Sequence, residues 1–385
     1  MGLSDSIAGA ILTIDLAALV ANYRRLQRAA APAELAAVVK ADAYGLGAAV
    51  VVPALLAAGC RHYFVAHLSE ALAIRPLLPA GCPLYVLNGL APGAAALCAD
   101  SGIIPVLNST SQIAGWRQLA RARGAPLAAV LQVDSGMSRL GLSVSETELL
   151  AADDSFRQEV PLRAIMSHLA CADDRKDPAS EQQRQCFRQL AALFPGTPRS
   201  LANSAGCLLD AGFHFELARP GIALYGGDPQ HPLDQPFQPV VRLDARIVQL
   251  RTVADGAGAG YGFSWRASGT RRLATLSVGY ADGWLRSLSN RGAAYVHDIR
   301  APIAGRVSMD SIIIDVTAVP EGQIAEGDLV ELIGPNQRLD DVARDAGTIS
   351  YEILTSLGRR YERRVLAFQE PANPETPGTI VETRT

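Results

Sequence analysis

No stretch of this 385-residue sequence concentrates charge of one sign, since the formal net charge is −3 and the acidic and basic residues are dispersed. A protein without a basic surface has no electrostatic reason to bind nucleic acid or an anionic membrane. No apolar run reaches the length of a transmembrane helix. The apolar stretch at residues 7–20 is interrupted by Asp15 and lacks the preceding basic residues of a signal peptide. We therefore expect neither a nucleic-acid partner nor a membrane partner.

The sequence also has no C-x-x-C pair, the spacing typical of zinc sites and redox motifs. Its six cysteines all lie in the first 210 residues, among apolar neighbours. Unpaired thiols in apolar surroundings are typical of the core of a protein from a reducing compartment. We therefore predict a cytoplasmic protein in which these thiols are reduced core residues: Cys60, Cys82, Cys98, Cys171, Cys186 and Cys207.

Short apolar runs alternate with alanine-rich helical stretches through the first 235 residues. Strands that alternate with helices form a parallel sheet with right-handed crossovers, and eight such units close into a barrel. The pattern predicts an α/β domain, a (β/α)8 TIM-type barrel at residues 1–235, with a strand and helix at residues 11–26 leading into it. The eight predicted strands are residues 36–40, 62–66, 84–88, 103–108, 128–134, 164–168, 200–204 and 218–225.

A proline-rich break at residues 228–232 separates the barrel from a region of different composition. The sequence beyond it is rich in β-branched residues and arginine, with short runs between glycine turns. At 49% hydrophobic residues, the chain can fill a second core. We predict a mainly-β C-terminal domain at residues 236–372, with helices near Leu339 and Ser350. Residues 373–385 are rich in proline and threonine and are predicted to form a poorly ordered tail.

Lys40 ends the first predicted barrel strand, and Tyr44 and two glycines follow it. Residues 36–39 are small or β-branched, as in a strand buried on both faces, where an ammonium is costly unless it is paired or used covalently. Burial lowers the pKa of a lysine and makes its amine nucleophilic towards an aldehyde. Lys40 is therefore a candidate Schiff-base lysine. A lysine whose charged end reaches solvent at a strand end is the equal alternative.

Polar residues follow other predicted strands at the same edge, where the barrel fold carries its chemistry. Gly221 would let backbone amides approach an anion such as phosphate, although a glycine after a proline also forms a simple turn. Taken singly, His168 is more often a core histidine than a catalyst, and Arg139 more often a salt-bridge partner, so only their shared position at strand ends favours a site. The polar or glycine residues at these strand ends are Lys40, Asp134, Arg139, His168, Asn203, Ser204, Arg219 and Gly221.

Seven short motifs, spread over both predicted domains, together resemble those of the alanine racemases. The likeness runs from ILTIDLAALVANY at residues 11–23 to TISYEILTSLGRRYERR at residues 348–364. It implies a homodimer with active sites shared between subunits, in which pyridoxal 5′-phosphate and no metal supports two-base racemisation of L- and D-alanine. The motifs are VVKADAYGLG (38–47), VDSGMSRLG (133–141), LANSAG (201–206), LARPGIALYG (217–226), GAGYGFSW (258–265), SVGYADGWLR (277–286) and GRVSMD (305–310).

The resemblance implies a role for each matching residue. Lys40 matches the lysine that carries the cofactor and acts as one base, and Tyr261 matches the opposite base, contributed by the partner subunit. Arg219 matches the arginine at the cofactor's pyridine nitrogen, with His168 behind it. The residues that match the family's phosphate site and its surroundings are Tyr44, Asn203, Ser204, Gly221, Ile222 and Tyr351.

The substrate carboxylate is assigned by the resemblance to Arg139, which also lies beside the cofactor, and to the backbone amide of Met309. The residues expected around the entrance and behind these groups are Tyr280, Arg286, Asp310 and Gln132. Gln132 departs from the family, because many members have a carbamylated lysine there that steadies the arginine matching Arg139. Since glutamine carries no charge, we expect an anion near Gln132 and Arg139, with chloride the simplest. Ser308 replaces a cysteine often found before the methionine.

Three alternatives stay open beside alanine racemisation. The first is a broad-specificity amino-acid racemase of the same fold, a group that commonly carries export signals. The second is a pyridoxal-phosphate-binding protein without catalytic activity, which generally lacks a second domain. The third is a decarboxylase of the same two-domain plan, which needs different residues in its second domain. Neither the range of substrates nor the choice between D-alanine supply for peptidoglycan and alanine catabolism follows from the sequence.

Overall fold

The computed structural model describes residues 7–230, 233–369 and 379–384, with side chains for residues 7–230 and 233–367. The described chain divides into two compact units. Of the described residues, 20–224, 229–230 and 233–235 form the barrel unit, and 7–19, 225–228, 236–369 and 379–384 form the second unit. Residues 7–19 thus belong to the second unit, whereas the sequence pattern places residues 1–235 together in the barrel.

The barrel unit contains eight parallel strand positions. Seven strands, β3 to β9, pair side by side in chain order. The barrel closes where β10 pairs in parallel with β2, and where the Arg219 amide donates to the Ala202 carbonyl oxygen at 2.9 Å. Because β2 and β3 are halves of one strand interrupted at Ala36, the predicted (β/α)8 barrel is confirmed. The strands are β2 Glu34–Leu35, β3 Ala37–Val38, β4 Tyr63–Val65, β5 Leu84–Val86, β6 Ile104–Leu107, β7 Ala129–Gln132, β8 Leu162–Met166, β9 Arg199–Ser200 and β10 Leu217–Ala218.

Helices connect these strands, and none of the described helices is both long and apolar enough to cross a membrane. Several begin at a side-chain cap, as α5 does at Ser109, whose hydroxyl accepts the Gln112 N–H at 3.3 Å. The helices from the start of the chain through the barrel are α1 Leu16–Ala30, α2 Ala48–Ala57, α3 Leu68–Ile74, α4 Ala95–Asp100, α5 Thr110–Arg123, α6 Val144–Ala151, α7 Asp154–Glu159 and α8 Ala179–Ala192.

The eighth strand is much shorter than the predicted residues 218–225. β10 ends at Ala218, and a 3-10 turn occupies Ile222–Tyr225. Pro220 has no N–H to donate to a neighbouring strand. The apolar run at residues 222–225 is buried without being a strand.

The second unit is mainly β, as predicted, with two short helices, α9 Leu339–Ala346 and α10 Ser350–Ser356. Its largest sheet contains the order β16-β15-β18-β11-β1-β19-β20, and β14 pairs with both β11 and β17. The strands are β1 Ala10–Asp15, β11 Val241–Val253, β12 Gly258–Ala259, β13 Trp265–Arg266, β14 Arg271–Leu276, β15 Ala293–Val296, β16 Ile299–Pro302, β17 Ile312–Asp315, β18 Leu329–Ile333, β19 Glu362–Gln369 and β20 Thr379–Arg384.

The first strand of the chain does not lead into the barrel. β1 pairs antiparallel with β11 and parallel with β19, so it is a central strand of the second unit. Its residues Ile11, Leu12 and Ile14 are buried, which explains why this run is apolar on both faces.

The tail differs in part from its prediction. Residues 379–384 form β20, which pairs antiparallel with β19, whereas residues 373–385 were expected to be poorly ordered. The tail residues 373–378 and 385 lie outside the described residues.

Candidate active site

Lys40 lies just beyond β3 and begins a left-handed helical turn. Each non-glycine residue in this conformation costs about 1–2 kcal/mol, and runs of them are rare. A backbone forced into such a turn fixes the direction of the side chains at both of its ends. The residues with positive φ are Ala41 at 52°, Asp42 at 54°, Ala43 at 54° and Tyr44 at 57°.

Backbone hydrogen bonds within the segment offset part of this strain. The Ala43 N–H donates to the Val39 carbonyl oxygen at 3.0 Å, and the Gly45 N–H donates to the Ala41 carbonyl oxygen at 2.8 Å. Tyr44 is buried at the end of the turn. The turn therefore holds Lys40 and Tyr44 in a defined relation to each other.

Several cationic or titratable groups surround Lys40. Burial and the nearby Arg139 guanidinium lower the pKa of Lys40, while the carboxylate of Glu70 opposes this shift. Burial, together with the positive charges of Arg219, Arg139 and Lys40, lowers the pKa of His168 to about 3, so this imidazole is neutral at pH 7. Among the described residues no carboxylate forms an ion pair with the four basic side chains of this end, which are Lys40, Arg139, His168 and Arg219. The carboxyl end of the barrel therefore attracts an anion.

Arg219 is buried and has no carboxylate partner in the part of the chain that the structure describes. One of its terminal nitrogens donates to the Ser200 hydroxyl, and the other donates to the Ser167 carbonyl oxygen at 2.7 Å. Burial lowers the pKa of Arg219 to about 10, which leaves the guanidinium charged at pH 7. A buried cation without a counter-ion is costly, and this indicates a group kept for a ligand.

A small anion cradle lies between the ends of β9 and β10. The Ser204 hydroxyl oxygen accepts N–H groups of Gly221 at 2.8 Å and Ala223 at 3.3 Å, so its hydrogen is left to donate elsewhere. A Cβ at Gly221 would lie 2.0 Å from the Tyr44 hydroxyl oxygen, so only glycine fits there. Within the described chain the Ile222 N–H donates to no protein group. Two hydroxyls and a backbone amide are suitable partners for a phosphate.

Asn203 stands beside this cradle, but its carboxamide is engaged with backbone groups. Its nitrogen donates to the Leu169 carbonyl oxygen at 3.3 Å, and its oxygen accepts the Gly206 N–H at 2.9 Å. These bonds shape the turn that carries Ser204. Direct contact of Asn203 with a cofactor stays a prediction from the resemblance.

Gln132, at the end of β7, is buried and makes no hydrogen bond to Arg139 in the described structure. Its side-chain nitrogen donates to the Leu140 carbonyl oxygen at 3.3 Å. The loop between them is held by Asp134, whose Oδ1 accepts the amides of residues 136–138 at 2.9 to 3.1 Å. Gln132 therefore fixes the loop that carries Arg139 and leaves that exposed guanidinium available to a ligand.

Tyr261 lies at the tip of the hairpin formed by β12 and β13, in the second unit. The tip is built by Gly260 and Gly262, whose φ values of 66° and 69° favour glycine. The Tyr261 side chain is 72% exposed. Other large side chains of this unit are exposed as well: Phe263, Tyr280, Met309 and Tyr351. Arg286, in a 3-10 turn at Arg286–Leu288, is also exposed.

Two loops of the second unit hold Tyr280 and Met309 next to each other. The Tyr280 N–H donates to the Ser308 carbonyl oxygen, and the Ala281 N–H donates to the Met309 carbonyl oxygen, both at 3.0 Å. A Cβ at Gly279 would lie 2.3 Å from that Met309 oxygen, so the close approach requires glycine.

Arg360 joins these loops and was not found by sequence reasoning. Its guanidinium donates to both carboxylate oxygens of the buried Asp282, at 2.6 and 2.8 Å, and to Asp310 at 2.8 Å. Asp282 in turn accepts the Gly279 N–H at 2.9 Å. A single sequence contains no signal that pairs residue 360 with residues 282 and 310, because only the folded sheet brings them together.

The predicted site residues thus fall into two groups. The barrel unit gathers Lys40, Tyr44, Gln132, Arg139, His168, Asn203, Ser204, Arg219, Gly221 and Ile222 at the carboxyl ends of its strands. The second unit carries Tyr261, Tyr280, Arg286, Met309, Asp310 and Tyr351. A lysine and an anion cradle at this end of a closed barrel, with a separate mainly-β unit, define a two-domain (β/α)8-barrel enzyme.

Comparison with known proteins identifies the family. Residues 14–229 match the family model of the alanine racemase N-terminal domain, and residues 240–365 match that of the C-terminal domain. The chain is 53% identical over 370 residues to the protein named alanine racemase, catabolic, of Agrobacterium fabrum, which covers 96% of this chain and 95% of that protein. It is 52% identical over 372 residues to the alanine racemase of Brucella canis, which covers 93% of this chain and 94% of that protein.

A solved structure agrees with these sequence matches. The alanine racemase from Bartonella henselae, crystallised with covalently bound pyridoxal phosphate, superposes with a TM-score of 0.90 at 45% identity, covering 93% of this chain and all of that chain. The chain belongs to the alanine racemase family, whose members are isomerases.

Proposed function

We propose that this protein is a pyridoxal-5′-phosphate-dependent alanine racemase that interconverts L- and D-alanine with two bases. The observation that carries the proposal is the placement of Lys40 and the Tyr44–Ser204–Gly221 cradle on one end of the barrel, among uncompensated positive charges. The bound pyridoxal phosphate of the Bartonella relative supports this reading of the site.

The residues of the barrel fit the cofactor's chemical groups. Lys40 would bond to its aldehyde carbon, while Tyr44, Ser204, Gly221 and Ile222 would hold the phosphate. When bound, pyridoxal phosphate withdraws electrons from the Cα of an amino acid, so that its Cα proton becomes removable. Tyr351 is proposed at the phosphate by resemblance.

Arg219 would donate a hydrogen bond to the pyridine nitrogen, with His168 behind it. Because the Arg219 guanidinium has a pKa of about 10, it keeps its protons at pH 7 and would not transfer one to that nitrogen. The ring is then a weaker electron sink, which disfavours transamination and favours return of the proton to Cα. His168 is neutral and adds no further charge.

Inversion at Cα requires a proton acceptor on each face. Lys40 is suited to one face because burial and Arg139 lower the pKa of its amine, so that it can accept a proton. Tyr261 is proposed for the opposite face. Arg139 and the backbone amide of Met309 would bind the substrate carboxylate and so fix which face is presented to which base. Tyr280, Arg286 and Asp310 are proposed around the entrance.

The exposure of Tyr261 supports a homodimer in which each site is shared. A proton-transferring phenol is useful only where water is excluded, yet this side chain is 72% exposed in one subunit, with Phe263 61% and Met309 54% exposed. A partner subunit would bury this surface.

Mixing inactive Lys40→Ala subunits with inactive Tyr261→Phe subunits is expected to restore about a quarter of wild-type activity. Half of the randomly mixed dimers are heterodimers, and each has one intact site of two. Activity is measured after subunit exchange is verified by native mass spectrometry. Heterodimers that form and stay inactive would mean that each site is built within one chain.

The proposed reaction is tested directly by incubating purified protein with a panel of L-amino acids and separating the products on a chiral column. Alanine racemisation alone, or far above the rest, supports the proposal, and comparable rates with many side chains indicate the broad-specificity alternative. Cofactor binding without turnover indicates a non-catalytic protein. Release of carbon dioxide indicates a decarboxylase.

Two biological roles fit this activity, D-alanine supply for peptidoglycan and alanine catabolism. One relative is named catabolic and another is not. Induction of the transcript by added alanine would favour catabolism, and constitutive expression would favour supply. A cytoplasmic location is proposed on the basis of six free cysteines.

Chloride is proposed beside Arg139, because Gln132 carries no charge and donates to a backbone oxygen. Activity is expected to rise saturably, about two- to tenfold, as chloride replaces a bulky organic anion at constant ionic strength. Gln132→Glu should reduce this response by supplying the missing charge, whereas Gln249→Glu, an exposed position in the second unit, should not.

If activity does not change as chloride is increased, the proposal of a bound anion beside Arg139 is wrong. Stripping carbon dioxide is expected to have no effect, because the only lysine besides Lys40 is Lys176, which is exposed. A loss of rate on stripping would instead indicate a carbamylated lysine and overturn the reading of Gln132.

A further inference from the structure

The Glu70 carboxylate accepts three backbone N–H groups, one of them at the start of the Lys40 turn. Its Oε1 accepts the Ala41 N–H at 2.5 Å, and its Oε2 accepts the N–H groups of Ala66 and His67, each at 2.8 Å. Glu70 is the third residue of α3, which follows β4. One carboxylate therefore ties the segment after the first barrel strand to the end of the second.

The Ala41 N–H depends on this contact. The first amides of any helical turn have no partner within the turn, and the ladder here begins only with the Ala43 N–H on the Val39 carbonyl oxygen. Ala41 is also the first of the four residues in the strained left-handed conformation. A charged acceptor at this amide stabilises the turn where it starts.

We propose that Glu70 is a positioning residue. By stabilising the left-handed turn, it would set the distance between Lys40 and Tyr44, so that one cofactor can reach both side chains. The importance of these two side chains rests on the proposed function, in which Lys40 bonds the aldehyde carbon and Tyr44 binds the phosphate. Glu70 would act through the backbone, because its carboxylate binds the N–H groups of Ala41, Ala66 and His67.

The charges around Lys40 agree with this role. Arg139 and His168 lie in the loops after β7 and β8, and the positive charges of Arg219 and Lys40 both act on His168. Asp42 accepts the Ala48 N–H at the start of α2, at 2.7 Å. Glu70 is the group that opposes the lowering of the Lys40 pKa by burial and Arg139. Glu70 therefore stabilises the turn and also places one negative charge among the positive charges near Lys40.

Glu70→Gln tests the proposal with little change in size. A carboxamide has one acceptor oxygen and one NH2 group, so it cannot accept three N–H groups that approach from two sides. Glu146→Gln is the matched control. Glu146 is likewise the third residue of a helix, α6, and its carboxylate accepts the Ser143 N–H at 2.9 Å, but it has no contact with residues 40–47.

The first measurement is amide hydrogen exchange of the cofactor-free protein. In Glu70→Gln, exchange of residues 41–47 is expected to speed up by about tenfold or more, with the rest of the barrel unchanged. Glu146→Gln should exchange like wild type in this segment. Adding Ala41→Gly to Glu70→Gln should restore part of the protection, because glycine adopts positive φ without strain.

The second measurement compares binding of pyridoxal phosphate and of pyridoxal, which lacks the phosphate, by visible absorbance. Glu70→Gln is expected to weaken the binding of both compounds. It should also reduce the ratio of the affinity for pyridoxal phosphate to that for pyridoxal by about fivefold or more, because Tyr44 is displaced as well as Lys40. A general loss of stability would leave the ratio of the two affinities unchanged. If Glu70→Gln does not fold, Glu70→Asp, which keeps the charge but is too short to span both sides, should change both readouts in the same direction.

The outcomes separate the two proposals. Unchanged exchange at residues 41–47 together with an unchanged affinity ratio would overturn the role of Glu70. Wild-type protein that captures neither pyridoxal compound would overturn the proposed function, while faster exchange in Glu70→Gln would still support Glu70 as the residue that holds the turn.

Discussion

Lys40→Ala is expected to abolish racemisation, with a loss of at least about 10⁴-fold, and to remove the visible absorbance of the lysine-bound cofactor. The reason is that one side chain supplies both the covalent linkage and the base on one face. The measurements are the rate of D-alanine formation and the absorbance spectrum of the purified variant after incubation with pyridoxal phosphate.

The control for this variant comes from the composition of the chain. Lys40 and Lys176 are the only lysines of the sequence, and Lys176 is exposed in the loop before α8. Lys176→Ala should therefore keep the wild-type rate and spectrum. Borohydride reduction of the wild-type complex should add the cofactor's mass to the peptide that contains residue 40. Full activity in Lys40→Ala would contradict the assignment of Lys40 as the cofactor-binding lysine and as one of the two bases.

Tyr261→Phe is expected to damage the exchange of one enantiomer far more than that of the other. Removing one positioned acid or base typically lowers the rate about 10²- to 10⁴-fold, and only one enantiomer directs its Cα proton at the phenol. In deuterated solvent, loss of the Cα proton from one enantiomer should continue through Lys40, while loss from the other collapses.

Tyr295→Phe is the control for this experiment, because Tyr295 is a tyrosine of the same unit within β15, a strand that carries none of the proposed site residues. It should exchange both enantiomers at the wild-type rate. An equal loss for both enantiomers in Tyr261→Phe would contradict the assignment of Lys40 and Tyr261 to opposite faces.

The barrel and its polar edge were predictable because local pattern and fold agree there. Short buried runs such as residues 84–86 and 129–132 sit within predicted strands, and Lys40, His168 and Arg219 follow strand ends as expected. Tyr261 could not be placed by pattern, since a tyrosine between two glycines reads as a turn. Its role rests on the resemblance alone.

Other features were beyond the reach of sequence pattern for physical reasons. Four non-glycine residues in left-handed conformation oppose local preference, so no propensity predicts the turn at residues 41–44. The contacts of Glu70 and Arg360 join residues far apart in the chain. The eighth strand was overestimated because an apolar run at residues 222–225 is buried in a 3-10 turn and looks like a strand.

The pairing of β1 with β11 and β19 sets an order for folding as the chain is synthesised. All barrel strands lie between residues 34 and 218, so the barrel can close as soon as that length has emerged. The second unit cannot be completed so early. Its central strand β1 is synthesised first, but residue 11 in this strand pairs with residue 362, which is synthesised near the end. Contacts between such distant residues form slowly. Until β19 is translated, the apolar residues of β1 lack one neighbouring strand, which leaves this strand open to a chaperone or to misassembly.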